Sequence, residues 1–404
     1  MIKEILKSFG VASLLSAFIY LHHFGFENQF IETILGISGI GFLLFEYERK
    51  VFFWTGFFTG ILWFFWMPFS MQYYGFPYLI PPSIILLGIA YGIFFFIVGY
   101  FDRISTKASL FILLTFFEPF GFNWFKPQII FVNTPFGTET WQFAIIVFSI
   151  ALSIFAFLER KKFLYFAPLL LLFAIDFREK VTKEFPLDIK LVETQILQEE
   201  KWLPENRWKI IDMNFAQIEK AIDEKQDIVV LPESTFPIYI NRYPEVLENL
   251  KFLSHQIAIF TGGLYSENGE QFNATYFFKD GNLQIGKKVV LVPFGEYIPL
   301  PKIIKDKISE MFFDGVKDFT PAKTPTDFII DEVKIRNAIC YEGTSEKLFQ
   351  NSPPFMIVIS NNGWFLPSIE PTLQKLLMQH FSNISGVTIF HSANRDGTDV
   401  ISPN

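Results

Sequence analysis

Charge in this 404-residue chain is divided so unevenly that one folding environment cannot suit both halves. Residues 1–177 hold 20 charged side chains, 10 acidic and 10 basic, whereas the remaining 227 hold 55 and carry the whole net charge of −7. The second density is the soluble norm of about a quarter. The first half is made of long apolar runs, rich in the chain's 53 Phe. A helix crossing the ~30 Å hydrocarbon core needs about 20 mostly apolar residues at ~1.5 Å each. Residues 9–24, 30–45, 51–70, 78–100, 110–124, 141–158 and 163–177 are the candidates. They predict a polytopic α-helical membrane domain of about seven helices over residues 1–177.

Charge placement orients these spans, because short loops rich in Lys and Arg stay on the cytoplasmic side. With a cytoplasmic N-terminus, Lys3, Lys7, Arg49, Lys50, Arg103, Lys107, Arg160, Lys161 and Lys162 fall inside, and only Lys126 falls in a short outside loop. Arg178, Lys180 and Lys183 then lie outside, which long translocated domains tolerate. The first span is expected to stay uncleaved, since no small-residue cleavage site follows it and further spans come directly after. Trp54, Trp63, Trp66, Tyr73 and Tyr74 suit interfacial belts. Glu118, beside Pro119 near the end of the fifth span, is either a functional acid at depth or a carboxylate already at the outer interface.

From residue 178 the pattern turns to short β-rich runs alternating with amphipathic helical stretches. Residues 189–192, 228–231, 257–262, 274–278, 334–339 and 356–360 read as strands, and 208–222 and 244–255 as helices. This predicts an α/β layered domain over residues 178–404, large enough for one substantial core. One Cys and five His exclude a disulfide scaffold and argue against a Cys- or His-rich metal site. No cofactor is expected, and the acidic balance gives no footprint for nucleic acid.

Three motifs stand at strand ends, where α/β folds place chemistry. They are Leu231-Pro232-Glu233-Ser234, then Lys288 followed by Leu291-Val292-Pro293-Phe294-Gly295-Glu296-Tyr297, and Cys340-Tyr341-Glu342. Singly, each has an ordinary explanation: a buried small hydrophobe, a turn residue, a solvated head. Together they offer a nucleophile, a carboxylate and an ammonium. A cysteine nucleophile needs a base and something positive near the developing oxyanion. No His accompanies the motifs: His22 and His23 lie in a membrane loop, and His255, His380 and His391 fall on or beside apolar runs. A Glu whose pKa burial raises can serve instead.

Pro-Glu-Ser, Lys-x-x-Leu-Val-Pro-Phe-Gly-Glu-Tyr and Cys-Tyr-Glu resemble the nitrilase superfamily. Placed after a multi-span region, Leu-Val-Pro-Phe-Gly-Glu-Tyr-Ile-Pro is similar to the apolipoprotein N-acyltransferases, which add the third acyl chain to bacterial lipoproteins. The likeness extends to residues 51–77 and to Glu118 through Trp124. It implies a nitrilase-like αββα sandwich outside the membrane, with Glu233 as general base, Lys288 as oxyanion-stabilising ammonium and Cys340 as nucleophile. Glu296 matches a supporting glutamate, Tyr341 and Glu342 complete the nucleophile motif, and Trp202 matches a tryptophan near the substrate entrance. Asn273 matches the family's Tyr-Asn-Ser element, and Ser360-Asn361 precede the Trp364-Phe365 pair. Departures are Leu231 for the usual Trp, Asn362-Gly363 for Asp-Ala, and Glu370-Pro371-Thr372-Leu373 where the family carries Gly-Pro-x-Gln-His. The family also ends with an eighth span, whereas this sequence stops at Asn404 in what reads as a strand and turn.

The resemblance implies a monomeric enzyme of the bacterial inner membrane, its catalytic domain on the periplasmic side. A phospholipid would donate an acyl chain to Cys340 as a thioester, and a diacylglyceryl-modified lipoprotein would accept it. Phe312-Phe313 and Trp364-Phe365 are expected to border a lateral opening. A membrane-tethered amidase using water, or a transporter or scaffold with a degenerate outer domain, are the alternatives.

Overall fold

The computed structural model describes residues 1–178, 183–302, 305, 307 and 318–404. Its helical half contains α1 (Ile2–His23), α2 (Gln29–Phe45), α3 (Arg49–Phe64), α4 (Ile80–Gly99), α5 (Ile104–Leu113) and α6 (Thr140–Leu158). Among the described residues, Ile2–His23, Pro77–Gly99 and Thr140–Leu158 are long and apolar enough to cross a membrane. α3 and the Met67–Tyr74 turn, bent by 55°, make a fourth if the two form one span, while Gln29–Phe45 and Lys162–Ala174 are shorter apolar helices.

Residues 110–124, expected as one span, do not form one helix. α5 stops at Leu113, and Phe120 adopts a φ of 55°. Pro119 accounts for the break, because it lacks an N–H and pushes Glu118 out of the helical region. Trp63 and Trp66, expected in interfacial belts, are buried instead. An indole N–H inside a bundle needs an acceptor. Trp63 Nε1 donates to Ser16 Oγ at 3.1 Å, and Trp66 Nε1 to the Trp63 carbonyl at 2.8 Å. α3 and α4 pack closely because a Cβ on Gly56 would collide with the Tyr91 carbonyl oxygen.

The two ends of the bundle differ in chemistry. At one, Lys7 pairs with Glu46, Lys107 donates to the Glu46 carbonyl, and the Arg49 guanidinium lies 4.4 Å over the Tyr100 ring. At the other, His23 meets Thr372 of the α/β half at 3.1 Å. Lys7 and His23 are about 24 Å apart along α1, at ~1.5 Å per residue.

In the α/β half, β1 (Ile189–Leu191), β2 (Ile228–Val230), β3 (Phe236–Tyr239), β4 (Ala258–Glu267), β5 (Glu270–Lys279) and β6 (Asn282–Lys287) make a six-stranded sheet. Its order is β1-β2-β4-β5-β6, with β3 paired to β4. β7 (Asp327–Ile330), β8 (Val333–Ile339), β9 (Phe355–Asn361), β10 (Thr388–Asn394) and β11 (Asp399–Ile401) make a five-stranded sheet in the order β11-β10-β9-β8-β7. Both sheets are mixed, with parallel pairs β1/β2, β2/β4, β3/β4, β8/β9 and β9/β10, and antiparallel pairs β4/β5, β5/β6, β7/β8 and β10/β11.

Strand alternation sorts the layers, because successive side chains point to opposite faces. Ile228 and Val230 meet Ile335, Ile339, Ile357 and Ile359 between the sheets. Val229 and Leu231 turn outward to α7 (Arg207–Asp223) and α8 (Pro244–Leu253). On the other sheet, Met356 and Val358 face Met378 and Phe381 of α9 (Glu370–Ser385). The result is an αββα sandwich. The start of α9 and Tyr341 also enter the core of the helical half, through Leu373, Leu376 and Leu377 beside Phe122, Trp124 and Phe131.

Candidate active site

Strand ends bring the polar residues together. β2 runs into Leu231-Pro232-Glu233-Ser234, β8 runs into Cys340, Lys288 follows β6, and Asn273 lies on β5. Ser234 and Cys340 both take left-handed backbone, with φ of 50° and 54°. Such strained residues turn a side chain out of its strand direction. Gly262 of β4 runs beneath the first of these turns, where a Cβ would lie 2.5 Å from Ser234 N and 2.6 Å from Glu233 Cα. Gly262→Ala is therefore expected to displace Glu233, costing about 1–3 kcal/mol of stability and lowering turnover. Thermal melting and acyl transfer of the variant check this, and an unchanged rate would contradict it.

The buried Lys288 Nζ lies 2.9 Å from Glu296 and 3.9 Å from Glu233 Oε1. Asn273 Nδ2 donates to both acids, at 2.6 Å to Glu233 and 2.9 Å to Glu296. Glu296 also accepts the Val292 N–H at 2.9 Å. Burial pulls the Lys288 pKa down, but Glu296 and then Glu233 outweigh it and raise it, so the group is an ammonium. Burial pushes the Cys340 thiol well up, Glu233 adds to this and Lys288 opposes it. The resting sulfur is thus a thiol that needs a base, beside a fixed positive charge.

Glu342 fastens the Cys340 turn to the Lys288 segment. Its Oε1 accepts the Val289 and Val290 N–H groups at 2.5 and 3.0 Å, and its Oε2 the Ile339 N–H at 2.8 Å. Burial pushes its carboxyl up to about 7, against Lys288 and these backbone donors. Glu342→Gln turns one acceptor into a donor, leaving at least one buried N–H unpaired. A loss of about 1–3 kcal/mol is expected, read as a lower melting temperature.

Residues 2–177 match the family described as the apolipoprotein N-acyltransferase integral membrane domain. The apolipoprotein N-acyltransferase of Wolinella succinogenes is 41% identical over 403 residues, covering 98% of this chain and 96% of its own. This chain belongs to the apolipoprotein N-acyltransferase family. It is a membrane protein and an acyltransferase. The Campylobacter jejuni apolipoprotein N-acyltransferase is 36% identical, over 99% of this chain and 90% of its own. A CN-hydrolase superfamily protein from Xanthomonas campestris aligns at a TM-score of 0.39 with 15% identity, over 52% of this chain and 76% of that one.

In this acyltransferase the Cys340 turn is joined to the membrane half. Tyr341 OH donates to the Gly121 carbonyl and accepts the Asn123 N–H, both at 2.9 Å, and Trp124 Nε1 donates to Thr344 Oγ1 at 2.7 Å. Trp364 stacks on Tyr74 at 5.9 Å, and Phe365 meets Trp66 at 4.9 Å, so this pair packs on the bend after α3. Trp202 is 40% exposed, outside the buried group. Phe312 and Phe313 lie outside the described residues. Glu118 is half-exposed and pairs with Lys126 at 3.3 Å. Burial lowers His380 to about 3 and His391 to about 4, and they bond Thr138 and Ser360.

Three residues near the site escaped sequence reasoning. Lys201 Nζ, buried, donates to the Glu233 carbonyl at 3.0 Å, and burial lowers its pKa to about 8 against the pull of Glu233. Gln374 Nε2 lies 4.0 Å from Cys340 Sγ, and Glu370 is one of the charges acting on that thiol. The signals were adjacency of Lys201 to Trp202 and the altered element at residues 370–374.

Proposed function

We propose that the enzyme moves an acyl chain from a membrane phospholipid to the α-amine of a diacylglyceryl-modified lipoprotein cysteine, through a thioester on Cys340. Glu233 takes the thiol proton, and the sulfur attacks the donor's ester carbonyl. The Lys288 ammonium, held by Glu296, which Asn273 Nδ2 in turn bonds, faces the oxyanion. The lysophospholipid leaves, and the acceptor amine then attacks the thioester and departs as an amide. The observation that carries this reading is the buried ammonium 3.9 Å from Glu233 and acting on the Cys340 thiol.

Residues 1–177 are the membrane domain of about seven apolar segments in this reading, and residues 178–404 the catalytic domain on the periplasmic side of the inner membrane. The cationic end of the bundle, at Lys7, Arg49 and Lys107, is remote from the α/β half that His23 touches. That polarity agrees with short basic loops staying inside. Both substrates are lipids, whose exposure would cost about 0.8 kcal/mol per CH₂, so a site against the bundle lets them react without leaving the bilayer.

Purified enzyme incubated with acyl-labelled phospholipid tests the reading. Label is expected on Cys340, transferable to a diacylglyceryl peptide and absent from Cys340→Ala. Release of free fatty acid without peptide product would favour hydrolysis by water instead.

A further inference from the structure

Gln374 is the polar member of a buried apolar stretch. Leu373, Leu376 and Leu377 around it belong to the core of the helical half, and Gln374 itself is fully buried. A buried side-chain amide needs partners at both ends. Its Oε1 accepts from Asn362 Nδ2 at 3.2 Å, and its Nε2 faces Cys340 Sγ at 4.0 Å. Among the described residues the sulfur is the only hydrogen-bond partner of that Nε2. A neutral thiol is a weak acceptor, so the resting enzyme holds a buried donor that is barely satisfied. Such an arrangement improves only when the sulfur takes on charge.

The direction of the amide is fixed from outside the site. The Asp396 backbone carbonyl can only accept, and Asn362 Nδ2 donates to it at 2.9 Å. The same NH₂ group then faces Gln374 Oε1, which leaves Nε2 for the sulfur. Asn362 is also fully buried, and Gly397 leaves room for it, since a Cβ there would lie 2.9 Å from Asn362 Nδ2.

Thiolate formation at Cys340 is opposed by burial and by the Glu233 charge, with Lys288 acting against them. Lys288 also serves the oxyanion, whereas Gln374 Nε2 is aimed at the sulfur. We propose that Gln374 is a further catalytic residue of the acyl transfer, its Nε2–H the donor to the charged sulfur. This rests on the acyl-transfer reading above. A bond to an ionised acceptor is shorter and roughly twice as strong as one to a neutral group, and contacts that are long in a resting enzyme tighten as the reaction proceeds. The amide therefore favours the thiolate over the thiol, and such differential binding is what lowers a barrier. No proton leaves it. In the first half Sγ–H passes its proton to Glu233, the S–C bond forms, and Gln374 keeps both hydrogens. In the second half the C–S bond breaks, and the same N–H meets the charge on the departing sulfur until its proton returns.

Gln374→Met keeps the length and removes the donor. Cys340 is the chain's only cysteine and is partly exposed, so alkylation by iodoacetamide reports its thiolate without any lipid. Alkylation and acylation by labelled phospholipid should both slow about tenfold, as for loss of one hydrogen bond to a charged group, while the KM for phospholipid stays within about twofold. Asn362→Ala should slow both reactions as well. The double variant should be no slower than Gln374→Met alone, because Asn362 acts on the sulfur through Gln374. Unchanged alkylation in Gln374→Met would overturn the assignment. So would slowing that comes with a raised KM and multiplies with that of Asn362→Ala, the pattern of two packing defects. If iodoacetamide reacts with the unsubstituted enzyme but phospholipid leaves no label on Cys340, the acyl-transfer reading fails as a separate result, and the alkylation series still decides what Gln374 does for the thiolate.

Discussion

Glu233→Gln is expected to slow acylation of Cys340 by roughly 10²–10⁴-fold, the range for loss of a general base. Burial and Glu233 hold the thiol pKa well above its ordinary value, so little thiolate forms unaided. The amide fits the same space: its oxygen can still accept from Asn273 Nδ2, now 2.6 Å from Glu233 Oε1. Fold and base are therefore separable in this variant. The pH profile gives the sharper readout. Without a base, the rate should follow the spontaneous thiolate fraction, climbing about tenfold per pH unit below the thiol's pKa. The parent enzyme, which has its base beside the thiol, should depend less steeply on pH over the same window. Single-turnover labelling from pH 6 to 9 measures both, and a variant rate within about threefold of the parent would remove Glu233 from the role.

Much of the sandwich was legible because its central strands alternate or run apolar. β2 and β9 carry Val and Ile on both faces, one set for the partner sheet and one for the helices, and such continuous runs mark buried parallel strands, whereas β8 alternates, with Val333, Ile335 and Ile339 on one face and Lys334 and Arg336 on the other. β3 was not legible, since Phe236–Tyr239 contains Pro237 and pairs irregularly with β4. Proline within a run argues against a strand. β6, Asn282–Lys287, has only Leu283 and Ile285 as apolar residues, and its place is set by pairing with β5. The broken stretch 110–124 read as a span because hydropathy averages over Pro119, although that proline decides the backbone. At the site, short motifs after strands named Glu233, Lys288 and Cys340. Lys201 and Gln374 lacked such a mark, because their meaning comes from contacts 32 and 34 residues away in sequence, at Glu233 and Cys340.

Lys288→Met is expected to be the most damaging single change, and it should separate stability from chemistry. The ammonium is 1% exposed and satisfies Glu296 through both oxygens, with Glu233 3.9 Å away. Removing one partner of a buried ion pair costs on the order of 3–5 kcal/mol, because a carboxylate is left uncompensated. Loss of the oxyanion's positive partner should cost roughly 10²–10³ in the acylation rate. Apparent melting temperatures of the detergent-solubilised enzyme measure the deficit, and a variant that melts with the parent would contradict the charge argument. Adding Glu296→Gln to Lys288→Met removes the stranded carboxylate and should restore part of the melting temperature, because the two residues are coupled. Acylation should stay low in the double variant, since no ammonium has been returned to the oxyanion. Recovery of both together would mean that Lys288 supports the fold alone.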